Sequence, residues 1–139
     1  MIEQLKEIDQ VTSGEVVIVG GYAKWLNGYT DQPSKIWVDI VIPPGQKENI
    51  KTLGKYIEYS NSIFPPTSLP TTEQFIVKSN NYILDVFVQD ISIVEYTEIQ
   101  GLKVITPQQD VDYHTQLAES LPNESTQSKL NSLKALYSL

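Results

Sequence analysis

Apolar residues recur along this chain at two spacings, and the switches between them mark out its elements. Ile2, Leu5 and Ile8 stand three residues apart ahead of Thr12-Ser13-Gly14, which predicts a short amphipathic helix over 2–9 and a break behind it. Val16 to Val19 is an unbroken β-branched run ending in Gly20-Gly21, the pattern of a buried strand whose chain then turns sharply. Residues 22–27 suit a short helix closed by Gly28. Ile36 to Ile42 reads as a second strand stopped by Pro43-Pro44-Gly45, and 46–59 as a helix with Ile50, Leu53 and Ile57 on one face. After a proline-rich connection over 64–72, Gln74–Lys78 and Tyr82–Gln89 read as strands joined by a Ser79-Asn80-Asn81 turn. Leu102–Ile105 is a short fifth strand. Thr106 as cap and Pro107 at the first position then open a helix. Leu121-Pro122-Asn123 breaks it, and a last helix follows with Leu130, Leu133, Ala135, Leu136 and Tyr137 as its apolar residues. The expectation is a single α/β (α+β) domain over 1–139, a mixed sheet of about five strands flanked by helices.

Composition narrows what such a domain can do. The chain has 139 residues and 40% apolar content, enough to bury a core without disulfides or a structural metal. With no cysteine, thiol nucleophiles, disulfides and zinc–cysteine sites are excluded. No apolar run approaches the roughly 18–20 residues of a membrane span, and the first residues lack the apolar stretch of a secretory signal, so the expected location is cytoplasmic. The net charge is −7, and the ten basic residues are all lysines, scattered singly. Arginine is the usual bidentate reader of phosphate and guanine, so its absence argues against direct nucleic-acid binding. Eight tyrosines with Trp25 and Trp37 offer aromatic surface for protein partners or a second copy of the chain.

Val19-Gly20-Gly21-Tyr22-Ala23-Lys24, followed by Ile36-Trp37-Val38-Asp39-Ile40-Val41, resembles the signature of the nucleotidyltransferase superfamily. In that family a strand ends in Gly-Gly or Gly-Ser at a short helix. A second strand carries two carboxylates one residue apart, and a later strand carries a third. Ile83-Leu84-Asp85-Val86-Phe87 fits the later strand. Gly101 to Pro107, with Asp110-Val111, is similar to the C-terminal part of small antitoxin-like (AbiEii-like) members. Residues i and i+2 of a strand share a face, so two carboxylates so placed and a third from a neighbouring strand hold two divalent cations. The resemblance implies Asp39 and Asp85 as metal ligands and Gly20 and Gly21 passing the phosphates of a nucleoside triphosphate, with Lys24 assisting.

The pattern is broken where the chemistry needs it. Trp37 stands at the first carboxylate position, leaving Asp39 alone on its strand, and the stretch between Gly21 and Trp37 is longer than usual for the family. An indole there is expected to close a metal site, and Asp31 is the one nearby acid with any prospect of replacing the missing one. His114, the only histidine, falls where relatives often carry lysine and shows no Ser or Asp constellation around it. A carboxylate inside an apolar strand costs several kcal/mol if unpaired, so Asp39 and Asp85 are expected to line an open cleft. The leading expectation is a non-catalytic chain of nucleotidyltransferase-like fold with no cofactor, serving as a structural or binding subunit of an assembly, a phage virion among them. The alternatives are a Mg²⁺-dependent enzyme moving a nucleoside monophosphate from a triphosphate to a hydroxyl, and an antitoxin-like partner of a toxin.

Overall fold

The computed structural model of the protein describes residues 1–59, 68–69 and 71–139; residues 64–67 and Pro70 of the expected proline-rich connection lie outside them. Among the described residues five α-helices and seven strands follow in the order α1 (Ile2–Val11), β1 (Val17–Val19), α2 (Gly20–Leu26), β2 (Trp37–Ile42), α3 (Lys47–Lys51), β3 (Lys55–Glu58), β4 (Glu73–Lys78), β5 (Ile83–Val88), β6 (Tyr96–Ile99), β7 (Leu102–Ile105), α4 (Pro107–Ser120) and α5 (Glu124–Tyr137). The strands form one mixed sheet ordered β3-β4-β5-β2-β1-β7-β6, in which β2 and β5, and β1 and β7, run parallel. The fold class is the α+β sheet-and-helix arrangement that the pattern predicts, with seven strands where about five were expected.

Both extra strands lie at the sheet edges. The expected helix over 46–59 stops at Lys51, and its third anchor, Ile57, sits in β3 instead, 38% exposed. Gly54 explains the break. A Cβ there would collide with the carbonyl of Lys78, so the chain passes hard against β4 and continues as its antiparallel partner, Lys55 opposite Lys78. At the other edge, β6 pairs antiparallel with β7 through a two-residue turn, with Gln100 at φ 54° and Gly101 at φ 82°. Positive φ at both central positions is the twist that suits a tight hairpin.

The central strands are apolar because both their faces are covered. Val38, Ile40, Val77, Leu84, Val86 and Val104 are completely buried, and Leu5 and Ile8 of α1 and Ile50 of α3 join the same core. Burial of this kind stabilises by about 25 cal/mol per Å² of apolar surface. A second cluster, Val111, Ala118, Leu130, Leu133 and Tyr137, holds α4 to α5. Ala135, expected among its apolar contacts, faces solvent. Both helices begin where the sequence predicts. Thr106 accepts a hydrogen bond from the Gln109 amide, and Asn123 and Thr126 cap each other's backbone reciprocally.

Candidate functional site

The site grows from the parallel pairing of β2 with β5. Asp39 and Asp85 are direct register partners in that pair, so two carboxylates from segments far apart in sequence stand side by side on one face. β1, antiparallel to β2 on its other side, sets Val19 opposite Asp39 and delivers the chain into α2 at Gly20. Gly20 has φ 69°, and a Cβ at this position would collide with Asp39 Oδ2. Glycine is thus required twice, for the backbone angle and for the carboxylate that lies against it. Tyr22 donates to the Lys35 carbonyl at 2.7 Å and Asn27 to the Ile105 carbonyl at 3.1 Å, fixing α2 over the sheet.

These elements enclose a cavity of about 280 Å³. Gly20, Gly21, Lys24, Asp39 and Asp85, the five residues singled out by the resemblance, all line it. So do Gln74 of β4, Asp110 and His114 of α4, and Lys129 of α5. The acids therefore occupy an open cleft rather than dry core. Asp31 is exposed and takes no part in the lining. Trp37 does not close the cavity as expected: it is 44% exposed and lines a shallow outward groove with Ser34, Lys35, Ile36 and Asp39. An acid is missing at position 37, and the indole that stands there does not line the cavity.

The electrostatics are those of two crowded acids. Burial, and then the neighbouring Asp85 charge, push Asp39 from 3.8 up to about 6, against the opposing pull of Lys129 and Lys24. Burial also raises Asp85, although Gln74 Nε2 and Tyr59 Oη donate to its Oδ1 at 2.9 and 3.2 Å. Tyr59 itself is pushed up to about 12 by burial and the Asp85 charge, so it remains a donor at neutral pH. Among the described residues no group of three acidic or histidine side chains is placed to hold a metal ion.

His114 does have an acidic partner. Its Nδ1 lies 2.9 Å from the Asp110 carbonyl and 3.3 Å from Asp110 Oδ1, and Tyr137 donates to Asp110 Oδ2 at 2.7 Å. Burial works to raise Asp110, but the His114 and Tyr137 hydrogen bonds outweigh it and hold the carboxyl below its ordinary range. The i, i+4 spacing of Asp110 and His114 on one helix was the available signal for this pair. Lys129 and Gln74 carry no local signal: only the docking of α5 and the order of the strands bring them to the cavity. Aromatic surface is also less than the tyrosine count suggests. Tyr22, Tyr82, Tyr113 and Tyr137 are buried, and the exposed large apolar residues include Ile36, Trp37, Ile93 and Tyr96.

No family model and no curated protein sequence matches the chain. Solved structures do. The chain is similar to a candidate nucleotidyltransferase (TM1012) from Thermotoga maritima, at TM-score 0.61 and 13% identity, covering 94% of this chain and 92% of that one. It also aligns with ANT(2″)-Ia, solved in complex with adenylyl-2″-tobramycin, at TM-score 0.49 and 11% identity over 97% of this chain and 99% of that one. The fold is nucleotidyltransferase-like, as the glycine pair and the two aspartates led one to expect. No helix among the described residues is long and apolar enough to cross a membrane.

Proposed function

We propose that this chain does not transfer nucleotides and works as a binding subunit, with protein partners or a second copy of itself. One observation carries the reading. The register of β2 against β5 brings two carboxylates together, and the place of a third on the same face of β2 holds an exposed Trp37. Two-cation phosphoryl transfer needs ligands for an ion at the attacking oxygen and another at the leaving oxygen. Asp39 and Asp85 are too few for both, and Asp110 is committed to His114 and Tyr137. The fold by itself does not restore the reaction.

The second reading, a Mg²⁺-dependent nucleotidyltransferase, is favoured by the company the aspartates keep: Lys24 and Lys129 line the same cavity and suit phosphate oxygens. One pair of measurements separates the two. The purified chain is incubated with each of the four α-³²P-labelled ribonucleoside triphosphates, Mg²⁺ and hydroxyl acceptors, and light scattering of the native chain reports its oligomeric state. The binding-subunit reading expects no label transfer or pyrophosphate release, and a defined complex. Transfer that disappears in Asp39→Ala would establish the enzyme instead.

A further inference from the structure

Toward β3, and at the starts of β2 and β5, the sheet leaves one face open. Register carries Trp37 and Ile83 to the face that bears Asp39 and Asp85, and the same row continues across β4 and β3 with Lys78 and Lys55. The next row on this face adds Ile76 and Ile57 beside Asp85. Trp37 is 44% and Ile57 38% exposed, Lys55 and Lys78 are exposed, and Ile76 and Ile83 are half-buried. Val38, Leu84 and Val77, which alternate with them along the strands, point to the opposite face and are completely buried. Four apolar side chains thus stand on the side of the sheet that the described residues leave largely open. The lysines give this surface a sign. Lys55 and Lys78 are direct register partners, and neither makes an ion pair among the described residues. Like charges directly opposite one another destabilise a strand pair, so the apolar row ends in two unmatched cations. Lys35 stands at its other end, lining the groove beside Trp37.

We propose that this face docks an acidic amphipathic helix of a protein partner, its apolar side on Trp37, Ile83, Ile76 and Ile57 and its carboxylates on Lys55 and Lys78. The dimensions fit one helix. The row crosses β3, β4, β5 and β2, which at about 4.8 Å between strands is about 14 Å, and a helix with its side chains is about 10–12 Å across. Apolar anchors at helical spacing laid on such a surface are a common mode of recognition, and tryptophan is among the residue types that most often carry its energy. Charge selects the acidic partner. The chain's net −7 is spread over the whole molecule and is screened beyond about 8 Å at physiological salt, so the adjacent lysines decide the local preference. The inference rests on the binding-subunit reading and names the chemistry of the partner.

The test uses two fluorescein-labelled helical peptides, one of glutamates with leucine at every third and fourth position, the other its twin with lysine for every glutamate. Each is titrated with the full chain and followed by fluorescence anisotropy, with thermal melts of every variant as a folding check. The wild type is expected to bind the glutamate peptide at least about tenfold more tightly than the lysine twin, against the direction its net charge alone would give. Trp37→Ser should weaken that binding at least about tenfold. Lys55→Glu combined with Lys78→Glu should reverse the preference toward the lysine twin. Both lysines are exposed, so this variant keeps the test decisive if Trp37→Ser fails to fold. A wild type that leaves the glutamate peptide free at millimolar chain, that binds the two peptides equally or prefers the lysine twin, or folded variants that bind as the wild type does, would each overturn the proposal. So would a wild-type dimer in light scattering that Trp37→Ser dissociates, which would give the face to a second copy of the chain. Label transfer by the wild type would overturn the binding-subunit reading, while the peptide titrations would still decide the face by themselves.

Discussion

Asp39→Asn should make this protein more stable, and by an amount that depends on pH in a defined direction. In the folded chain Asp39 is raised from 3.8 to about 6 by burial and by Asp85. The native state then holds this proton more tightly than the unfolded chain does, so wild-type stability falls as pH rises from about 4 to about 6 and is level above that. At about 1.4 kcal/mol per pH unit of difference, the deficit above pH 6 is about 3 kcal/mol at most. Asparagine has the same shape and no charge to desolvate, and it can donate to Asp85. Urea unfolding in EDTA at pH 4, 6 and 8 measures the effect. The variant should match the wild type at pH 4 and exceed it by up to about 3 kcal/mol at pH 8, with the slope of free energy on urea unchanged. A variant no more stable at pH 8 than at pH 4, relative to wild type, would refute the account of Asp39 as a charge held at a cost.

Three further substitutions probe the surroundings. Gly20→Ala should lower the unfolding free energy by roughly 2–3 kcal/mol, since it combines a positive φ with a collision at Asp39 Oδ2; Gly20→Ala with Asp39→Ala should recover part of this in thermal melts. Tyr137→Phe removes the donor to Asp110 Oδ2 and should cost about 1–3 kcal/mol at pH 7. Because Asp110 is held low in the fold, the wild type's advantage is present at neutral pH and should shrink as acid protonates the carboxyl, which parallel urea titrations at falling pH would show. Trp37→Asp restores the acid missing from β2 at an exposed position, and should raise Mn²⁺ affinity at least about tenfold over wild type in isothermal titration of the two chains side by side.

How much of this was legible depends on where each element draws its stability. A strand buried on both faces, such as Val17–Val19, betrays itself as a continuous apolar run, Trp37–Ile42 is apolar apart from Asp39, and α4 and α5 carry their caps in Thr106 and Asn123. The edge strands do not. Tyr96–Ile99 is largely exposed and polar enough to pass for loop, with Gln100-Gly101 as its one turn signal. The Ile50, Leu53, Ile57 spacing imitates a helix until Gly54 meets the backbone of Lys78. At the site, Gly20, Gly21, Lys24, Asp39 and Asp85 were readable because local pattern places them. Gln74, Lys129 and the Tyr137 hydroxyl that meets Asp110 depend on elements that meet only in three dimensions, whereas the pairing of Asp110 with His114 was available in their i, i+4 spacing on one helix.

The parallel seam between β2 and β5 also bears on how the molecule assembles. Its two acids are separated by a third of the chain, and β2 reaches β5 only after the segment carrying α3, β3 and β4 has been looped out. Joining such distant strands is already the slow kind of contact, because closure entropy is lost before the pairing is gained. Here the last approach must also drive two negative charges together. Electrostatic repulsion is therefore built into the middle of the sheet rather than its rim, and a proton held at that seam eases the closure.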